Sequence, residues 1–224
     1  MKKLMLSLSL IAGLTVAASA QLKFGIKAGL HFPSLKVSGE ELNPEEIEGL
    51  KANTTFYFGG TIEVPVNENF VVQSGLNYIR KGAKFDFSYS EGGDAVSLTT
   101  KINLNYLELP VNGLFKFNAG TGSLLVGAGA YYGYALDGNT KSEVSLTMDG
   151  QTEKESENED LILGNTTADD FKRGDFGLNF LLGYELKNGL SFNGGYRLGL
   201  TNISNSPDGS VKNKGFSVGL GFNF

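Results

Sequence analysis

The sequence predicts an all-β fold: an eight-stranded antiparallel up-and-down transmembrane β-barrel over residues 21–224. Three observations predict it. Apolar and polar residues alternate with period two in eight segments, the connections between these segments alternate between short and long, and glycine is frequent. The 224 residues include 31 glycines, 16 phenylalanines and nine tyrosines. This combination suits a curved sheet whose crowded side needs small residues.

The first 20 residues have the pattern of an export signal. A short positive region, Met1–Lys3, precedes an apolar run, Leu4–Ala17. Ala18-Ser19-Ala20 then matches the small-x-small cleavage pattern, which predicts a mature chain beginning at Gln21. The apolar run is too short for a membrane-anchoring helix. The chain has no cysteine, which excludes a lipid anchor on an N-terminal cysteine, disulfides and thiolate chemistry.

The predicted mature chain is acidic. Removal of Lys2 and Lys3 takes the net charge from −5 to −7. Basic residues do not cluster, which argues against nucleic acid as a partner. The sequence has no Gly-rich phosphate loop, nucleotide fingerprint or cluster with metal-ligand spacing, so we expect neither a cofactor nor a metal.

Eight segments alternate with the period of a β-strand. The first, Leu22–His31, and the last, Gly215–Phe224, show it most clearly. The other six are TTFYFGGTIEV, FVVQSGLNY, LNYLELPVNGLFKF, SLLVGAGAYYGY, GDFGLNFLLGYEL and LSFNGGYRLGL. Tilted strands of about ten residues cross the hydrocarbon core of a membrane.

The predicted connections differ in length in a regular order. Short connections are predicted at Pro65–Asn69, Asn118–Gly122 and Lys187–Gly189, and long ones at Phe32–Asn53, Lys81–Thr100, Ala135–Gly174 and Asn202–Lys214. Outer-membrane barrels have short periplasmic turns and long external loops, so both chain ends should lie on the short-turn side. This order of lengths favours such a barrel over a water-soluble sandwich.

The two faces of the predicted sheet differ in chemistry. One is apolar without a break, whereas the other is rich in glycine and carries charges. Because every backbone group needs a partner in lipid, strands with an apolar outer face must close into a barrel. The charged residues predicted to face the lumen are Lys23, Lys27, Glu63, Glu108, Glu185 and Arg197, with Asp175 nearer a rim.

Two functions are compatible with a charged lumen. Salt bridges and hydrogen bonds can fill it, or the charges can form a selectivity constriction for small solutes. The interior of eight strands is about wide enough for side chains alone. We therefore expect a filled lumen, with Glu108 and Arg197 at the centre of its polar network, and external loops that carry the function. A small-solute porin is the alternative.

The order of several motifs resembles a known family. They are LKFGIKAGL, FVVQSGLNYIRKGAKF, LNYLELPVNGLFKF, GAGAYYGY, FGLNFLLGYELKNGLSFNGGYRLGLTNIS and GLGFNF. Together they resemble the PorT-like outer-membrane β-barrel family over all eight predicted strands. The resemblance implies an integral, porin-like outer-membrane barrel with no established substrate. The name-giving member is tied to protein secretion, but no residue here marks that role.

The last residue, Phe224, resembles the terminal signal by which barrel proteins are recognised for insertion into the outer membrane. We therefore expect the barrel-assembly machinery as a partner during insertion. Outer-membrane lipids and lipopolysaccharide are the partners expected of the inserted barrel in a Gram-negative cell envelope. No motif identifies an external protein partner.

A catalytic role has one candidate residue. His31 is the sole histidine and is predicted at the outer end of the first strand. Some small outer-membrane barrels are hydrolases that combine His with Ser or Asp. One histidine without a serine motif or an orienting partner does not meet these criteria, so we expect no enzyme. An outer-membrane lipid-modifying enzyme is the second alternative.

The long segment Ala135–Gly174 contains ten acidic and four basic residues. It lacks the ligand spacing of a calcium loop. Its core, QTEKESENEDL, predicts a solvated, mobile surface loop. The preceding SEVSLTMDG can extend the fifth strand as a hairpin arm. A weaker hypothesis is that the loop binds cations diffusely or a basic partner. In the first long loop, Asn43 and Pro44 predict a short helix over Pro44–Leu50.

Overall fold

The computed structural model describes residues 22–39, 50–148, 150–206 and 209–224. The predicted signal, residues 1–20, lies outside the described residues. The predicted helix also lies outside them except for Leu50, which is in a strand. Within the described ranges no helix is both long and apolar enough to span a membrane.

Ten β-strands of the described chain form one sheet. They are β1 (Lys23–Gly39), β2 (Leu50–Lys51), β3 (Thr55–Pro65), β4 (Phe70–Glu91), β5 (Asp94–Ala119), β6 (Gly122–Met148), β7 (Gln151–Asp160), β8 (Gly174–Leu186), β9 (Leu190–Gly199) and β10 (Gly209–Asn223). Eight of them close a ring of antiparallel pairs in the order β1, β3, β4, β5, β6, β8, β9, β10 and back to β1. The predicted eight-stranded up-and-down barrel is therefore confirmed.

The short connections lie at one end of the barrel, together with the chain end. Residues 66–69, 120–121 and 187–189 separate β3 from β4, β5 from β6 and β8 from β9. At the same end, the main-chain N–H of Phe224 donates to the carbonyl of Phe24 over 2.8 Å. This confirms the predicted short connections and their position at the same end of the barrel as Phe224.

Strands occupy part of every predicted long loop, so the predicted bounds of these loops are wrong. β4 and β5 continue to a hairpin tip at Gly92-Gly93 in place of a Lys81–Thr100 loop. β6 continues to Met148 and pairs with β7, which confirms the hairpin arm. The segment predicted as the core of a loop is mostly β7, although every residue of β7 is exposed as expected.

The polar and apolar faces of the sheet exchange near the outer end of the barrel. On β4, Leu76 and Tyr78 belong to the outward row, whereas beyond Arg80 the apolar Phe85 and Phe87 belong to the opposite row. Strand alternation places residues of one parity on one face, so the inward face becomes the apolar one. The alternation in the sequence shows a continuous apolar face only as far as this exchange. It therefore predicts shorter strands than the structure has.

A polar girdle of Arg80, Asn105 and Asp137 marks the exchange. Arg80 donates through Nε to Oδ1 of Asn105 over 2.8 Å, and Asn105 donates through Nδ2 to Oδ1 of Asp137. The pairing of β5 with β6 shifts register here, where Leu136 is an extra residue between Ala135 and Asp137. This bulge keeps the later apolar residues of β6 on the inward face.

Large apolar side chains cover the outside of the barrel between the girdle and the short turns, and this surface is here called the apolar belt. Examples are Phe58 on β3, Leu109 on β5 and Leu220 on β10, each about half exposed. Phe56, Phe58 and Tyr78 stack on one another with ring centroids 5.3–6.3 Å apart. An apolar surface of this extent is rare on water-soluble monomers and suits contact with lipid.

Beyond the girdle, an apolar cluster lies inside the outer end of the barrel. Leu35, Ala83 and Leu104 contribute from the strands, and Leu163 and Ile203 contribute from the connecting segments. All five are buried. The connecting segments therefore fold inward over the mouth of the lumen.

Gly82 holds a backbone conformation that other residues rarely adopt. Its φ is 132°, and a Cβ atom would lie 1.9 Å from the carbonyl oxygen of Ile102 on β5. We expect Gly82→Ala to lower the free energy of unfolding by about 1–3 kcal/mol. Urea titration in lipid vesicles, followed by the heat-modifiable gel shift, measures it. Gly60→Ala, whose Cβ would meet nothing nearer than 3.8 Å, is the control. Equal stability of the two variants contradicts the assignment of strain.

Candidate functional site in the barrel lumen

Four charged side chains meet in the middle of the lumen and form the central network: Lys81, Glu108, Asp175 and Arg197. The Lys81 ammonium lies 2.9 Å from Oε2 of Glu108 and 2.9 Å from Oδ2 of Asp175. Arg197 donates through Nε to Oε1 of Glu108 over 3.1 Å. The side chains of Lys81, Glu108 and Asp175 are at most 2% exposed, and that of Arg197 is 10% exposed.

Neutral partners surround the central network. Tyr131 donates its hydroxyl to Oδ2 of Asp175 over 3.2 Å, and Asn213 donates its amide to the same oxygen over 3.0 Å. The Lys81 ammonium also lies 4.0 Å from the ring centroid of Tyr131, within the range of a cation–π contact. Two cations thus face two carboxylates in a site that is almost completely buried. Burial of such charges is tolerated because each has a partner of opposite sign.

Strand geometry brings these residues together from four strands. Lys81 lies on β4, Glu108 on β5, Asp175 on β8 and Arg197 on β9. Each stands in the inward row of its strand, because side chains two residues apart share a face. Glycine at the inward position Gly133 of β6 leaves room beside the network: a Cβ atom there would lie 3.1 Å from the ring of Tyr106 and 3.8 Å from Cβ of Asp175.

A second group, the inner-end network, lies toward the short turns and consists of Glu63, Lys116 and Glu185. Lys116 bridges the two carboxylates, with Nζ 2.9 Å from Glu63 and 3.2 Å from Glu185. Gln73 donates to Glu63 over 3.0 Å, and Asn223 donates to Glu185 over 2.7 Å. One cation between two carboxylates gives the inner-end network itself a net charge of −1.

A small cavity of about 50 Å³ lies between the two networks. Its walls include Lys27, Tyr57, Glu63, Glu185 and Arg197. This volume holds only a few water molecules. The described lumen therefore contains polar side chains and room for water, and the space is too small for a solute the size of a sugar.

The structure places the predicted lumen residues at different depths. Glu108 and Arg197 are in contact at the centre, Glu63 and Glu185 lie at the inner end, and Lys27 lies half-buried on the cavity. Lys23 is exposed, because its inward position is the first of β1 and lies at the mouth.

Three members of the two networks were misplaced or missed by the sequence prediction. Asp175 was placed nearer a rim, but it is completely buried in the central network. Lys81 and Lys116 were not among the predicted residues. Lys81 stands four positions after the inward Asn77, and Lys116 four after the inward Asn112, so a longer reading of the alternation would have included both.

His31 lies inside the barrel at mid-strand, because β1 continues to Gly39. It is 1% exposed, and its Nδ1 lies 2.9 Å from the carbonyl oxygen of Phe216. The prediction that it lies at the outer end of the first strand is wrong. Among the described residues, no three His, Cys, Asp or Glu side chains are arranged to hold a metal ion.

Comparison with known proteins gives one family match. The family model described as outer membrane protein beta-barrel domain matches residues 17–205. Curated protein sequences give no match.

Several solved structures are similar to this chain. The attachment invasion locus protein Ail of Yersinia pestis is 16% identical, with a TM-score of 0.39 over 90% of this chain and 98% of Ail. Neisserial surface protein A is 12% identical, with a TM-score of 0.39 over 90% of this chain and 97% of that protein. CarO of Acinetobacter baumannii is 12% identical, with a TM-score of 0.39 over 88% of this chain and 97% of CarO.

Proposed function

This chain belongs to the outer membrane protein beta-barrel domain family, and on that premise we propose that it is a barrel whose lumen is filled by its own side chains and whose function lies in its external parts. The observation that carries the proposal is the burial of the central network. A conducting pore keeps its lumen charges hydrated, whereas Lys81, Glu108 and Asp175 have almost no contact with solvent.

The proposal has support along the whole barrel axis. The apolar cluster with Leu163 and Ile203 covers the outer mouth, and the central network occupies the middle. The inner-end network spans the opposite mouth, from Glu63 on β3 to Glu185 on β8. An ion would have to break buried ion pairs to pass, which is costly in a site of low dielectric constant.

Single-channel recording in planar bilayers tests the filled lumen against the alternative, a small-solute porin. We expect the purified full-length protein to give no steady openings at moderate voltage. A general porin with a wide lumen, inserted under the same conditions, controls for the ability of the assay to detect pores. Steady ohmic openings of this protein, in proportion to the inserted amount, would refute the filled lumen and favour the porin.

We further propose that the protein is not an enzyme. The burial of His31 and its contact with the carbonyl of Phe216 support this, since a general base must reach its substrate. The alternative, a lipid-modifying enzyme, predicts altered phospholipid or lipid A profiles in cells that carry His31→Ala. Unchanged profiles support the proposal.

Finer assignments belong to the same proposal. The motif order supports membership of the PorT-like group, and the signal pattern supports cleavage after Ala20. Phe224 supports recognition by the barrel-assembly machinery: its side chain is 74% exposed and packs edge-on against Phe222. The apolar belt supports outer-membrane lipids and lipopolysaccharide as surrounding partners. The mass of the protein extracted from outer membranes tests the cleavage.

A further inference from the structure

Strands β4 to β7 continue beyond the girdle as a protruding sheet, here called the arm. It comprises residues 84–91 of β4, 94–103 of β5, 139–148 of β6 and all of β7. The pairing is regular, from Ala95 opposite Thr147 to Asn103 opposite Asn139, and β7 pairs with β6 over the same stretch. At about 3.3 Å per residue, ten residues of strand extend roughly 30 Å.

The free edge of the arm is β7. Within the described chain, β7 pairs with β6 alone, so its other side presents main-chain N–H and C=O groups without a neighbouring strand. All ten residues, Gln151–Asp160, are exposed, and none is proline. Natural proteins usually shorten, bend, cover or charge such an edge, because it serves as a template for another strand. The edge of β7 is charged, so its charges restrict which strand can pair with it.

The side chains of β7 determine what the edge can accept. Glutamates occupy every second position from Glu153 to Glu159 and therefore form a row on one face. The opposite face carries Thr152, Lys154, Ser156, Asn158 and Asp160. A neighbouring strand would place its own alternate side chains directly beside the glutamate row, where opposite charges stabilise and like charges destabilise the pairing.

We propose that the edge of β7 binds an extended basic segment of a partner protein by strand addition, with lysines or arginines of that segment beside the glutamate row. This deepens the proposed function, because it assigns a partner class to the external part of the barrel. A second copy of the chain does not suit the edge, since pairing of two β7 strands on the same face sets glutamate beside glutamate. Main-chain hydrogen bonds supply affinity in this mode and the alternate side chains supply specificity.

A synthetic peptide of five lysines alternating with five threonines tests the proposal. The full-length protein is reconstituted in phosphatidylcholine nanodiscs, which carry no net charge, and binding is followed by fluorescence anisotropy. Hydrogen exchange locates the contact: the amides of residues 151–160 should be protected by the peptide. A block peptide of five lysines followed by five threonines has the same charge but cannot align a lysine row with the glutamates, and should bind more weakly.

Two double variants in the same hairpin separate the glutamate row from general acidity. Glu155→Gln with Glu157→Gln removes two charges from the row, and we expect the Kd to rise roughly fivefold. Glu143→Gln with Asp160→Asn removes two charges from the opposite face of the same two strands. We expect this control to bind within about twofold of the wild type, because its charges do not adjoin the lysine row.

The proposal would be overturned by equal weakening in the two double variants, by equal binding of the two peptides, or by binding without protection of residues 151–160. Self-association through β7, detected as loss of peptide binding at high protein density, would favour a second copy and also overturn it. Conductance of the same preparation keeps the two proposals apart. A protein that neither conducts nor binds the peptide contradicts only the strand addition. A protein that conducts contradicts only the filled lumen.

Discussion

Lys81→Met should lower the stability of the barrel by about 3–5 kcal/mol, the cost of removing one partner from a buried ion network. Methionine keeps most of the length of the side chain, so packing changes little. Glu108 keeps its bond with Arg197, but Asp175 loses its cation and retains only Tyr131 and Asn213 as donors. Urea titration in lipid vesicles, read by the heat-modifiable gel shift, measures the loss.

A second variant shows whether the loss comes from the abandoned charge. Lys81→Met combined with Asp175→Asn removes the uncompensated carboxylate and should recover roughly half or more of the lost stability. Lys36→Met, at an exposed position of β1, should change stability by about 0.5 kcal/mol or less. If the double variant were less stable than Lys81→Met, packing rather than charge would explain the loss of stability.

Leu220→Arg should destabilise the inserted barrel by about 2–4 kcal/mol, the cost of a cation on the lipid face near the middle of the membrane. Leu220 lies in the outward row of β10, between Val218 and Phe222, and is 51% exposed. The matched change is Leu146→Arg on the arm, where the leucine is 37% exposed. We expect Leu146→Arg to leave insertion unchanged, because the arm extends beyond the membrane-spanning part of the barrel.

Folding efficiency into vesicles, compared between the two arginine variants, gives the measurement. The position of each residue relative to the girdle at Arg80 decides the result, since both leucines are apolar and accessible. An equal loss in both variants would mean that the arm also contacts lipid. No loss in either would contradict the assignment of the apolar belt to the membrane.

Most of the fold could be predicted from period-two alternation and the order of connection lengths. The length of the strands could not be predicted, because the apolar residues move from one face of a strand to the other along its length. On β4 the apolar residues from Val72 to Tyr78 stand at even positions, and those from Ile79 to Tyr89 stand at odd positions. The outward apolar face therefore ends at that point, and so does the strand that the pattern predicts. On β6 the extra residue at Leu136 shifts the phase once more.

The lumen residues could be predicted in part. Whether a residue stands at an odd or even position of its strand gives the face it occupies, but not its position along the barrel axis. Parity placed Glu108 and Arg197 inside, and they are in contact. The depth of Asp175 depends on the register between β6 and β8 and on the tilt of the strands, which no local pattern encodes. Lys23 shows the converse, since an inward position at the first residue of a strand lies at the mouth.

The exchange of the polar and apolar faces at the girdle also determines the vertical position of the barrel in the bilayer. A shift of two residues along a strand, roughly 7 Å, would draw Phe56 and Tyr78 into water or push Arg80 and Asp137 into hydrocarbon. Either direction is unfavourable, so the barrel has one preferred vertical position in the bilayer. The arm continues the same strands that form the barrel, so the vertical position of the barrel also sets the height of the free edge relative to the lipid surface.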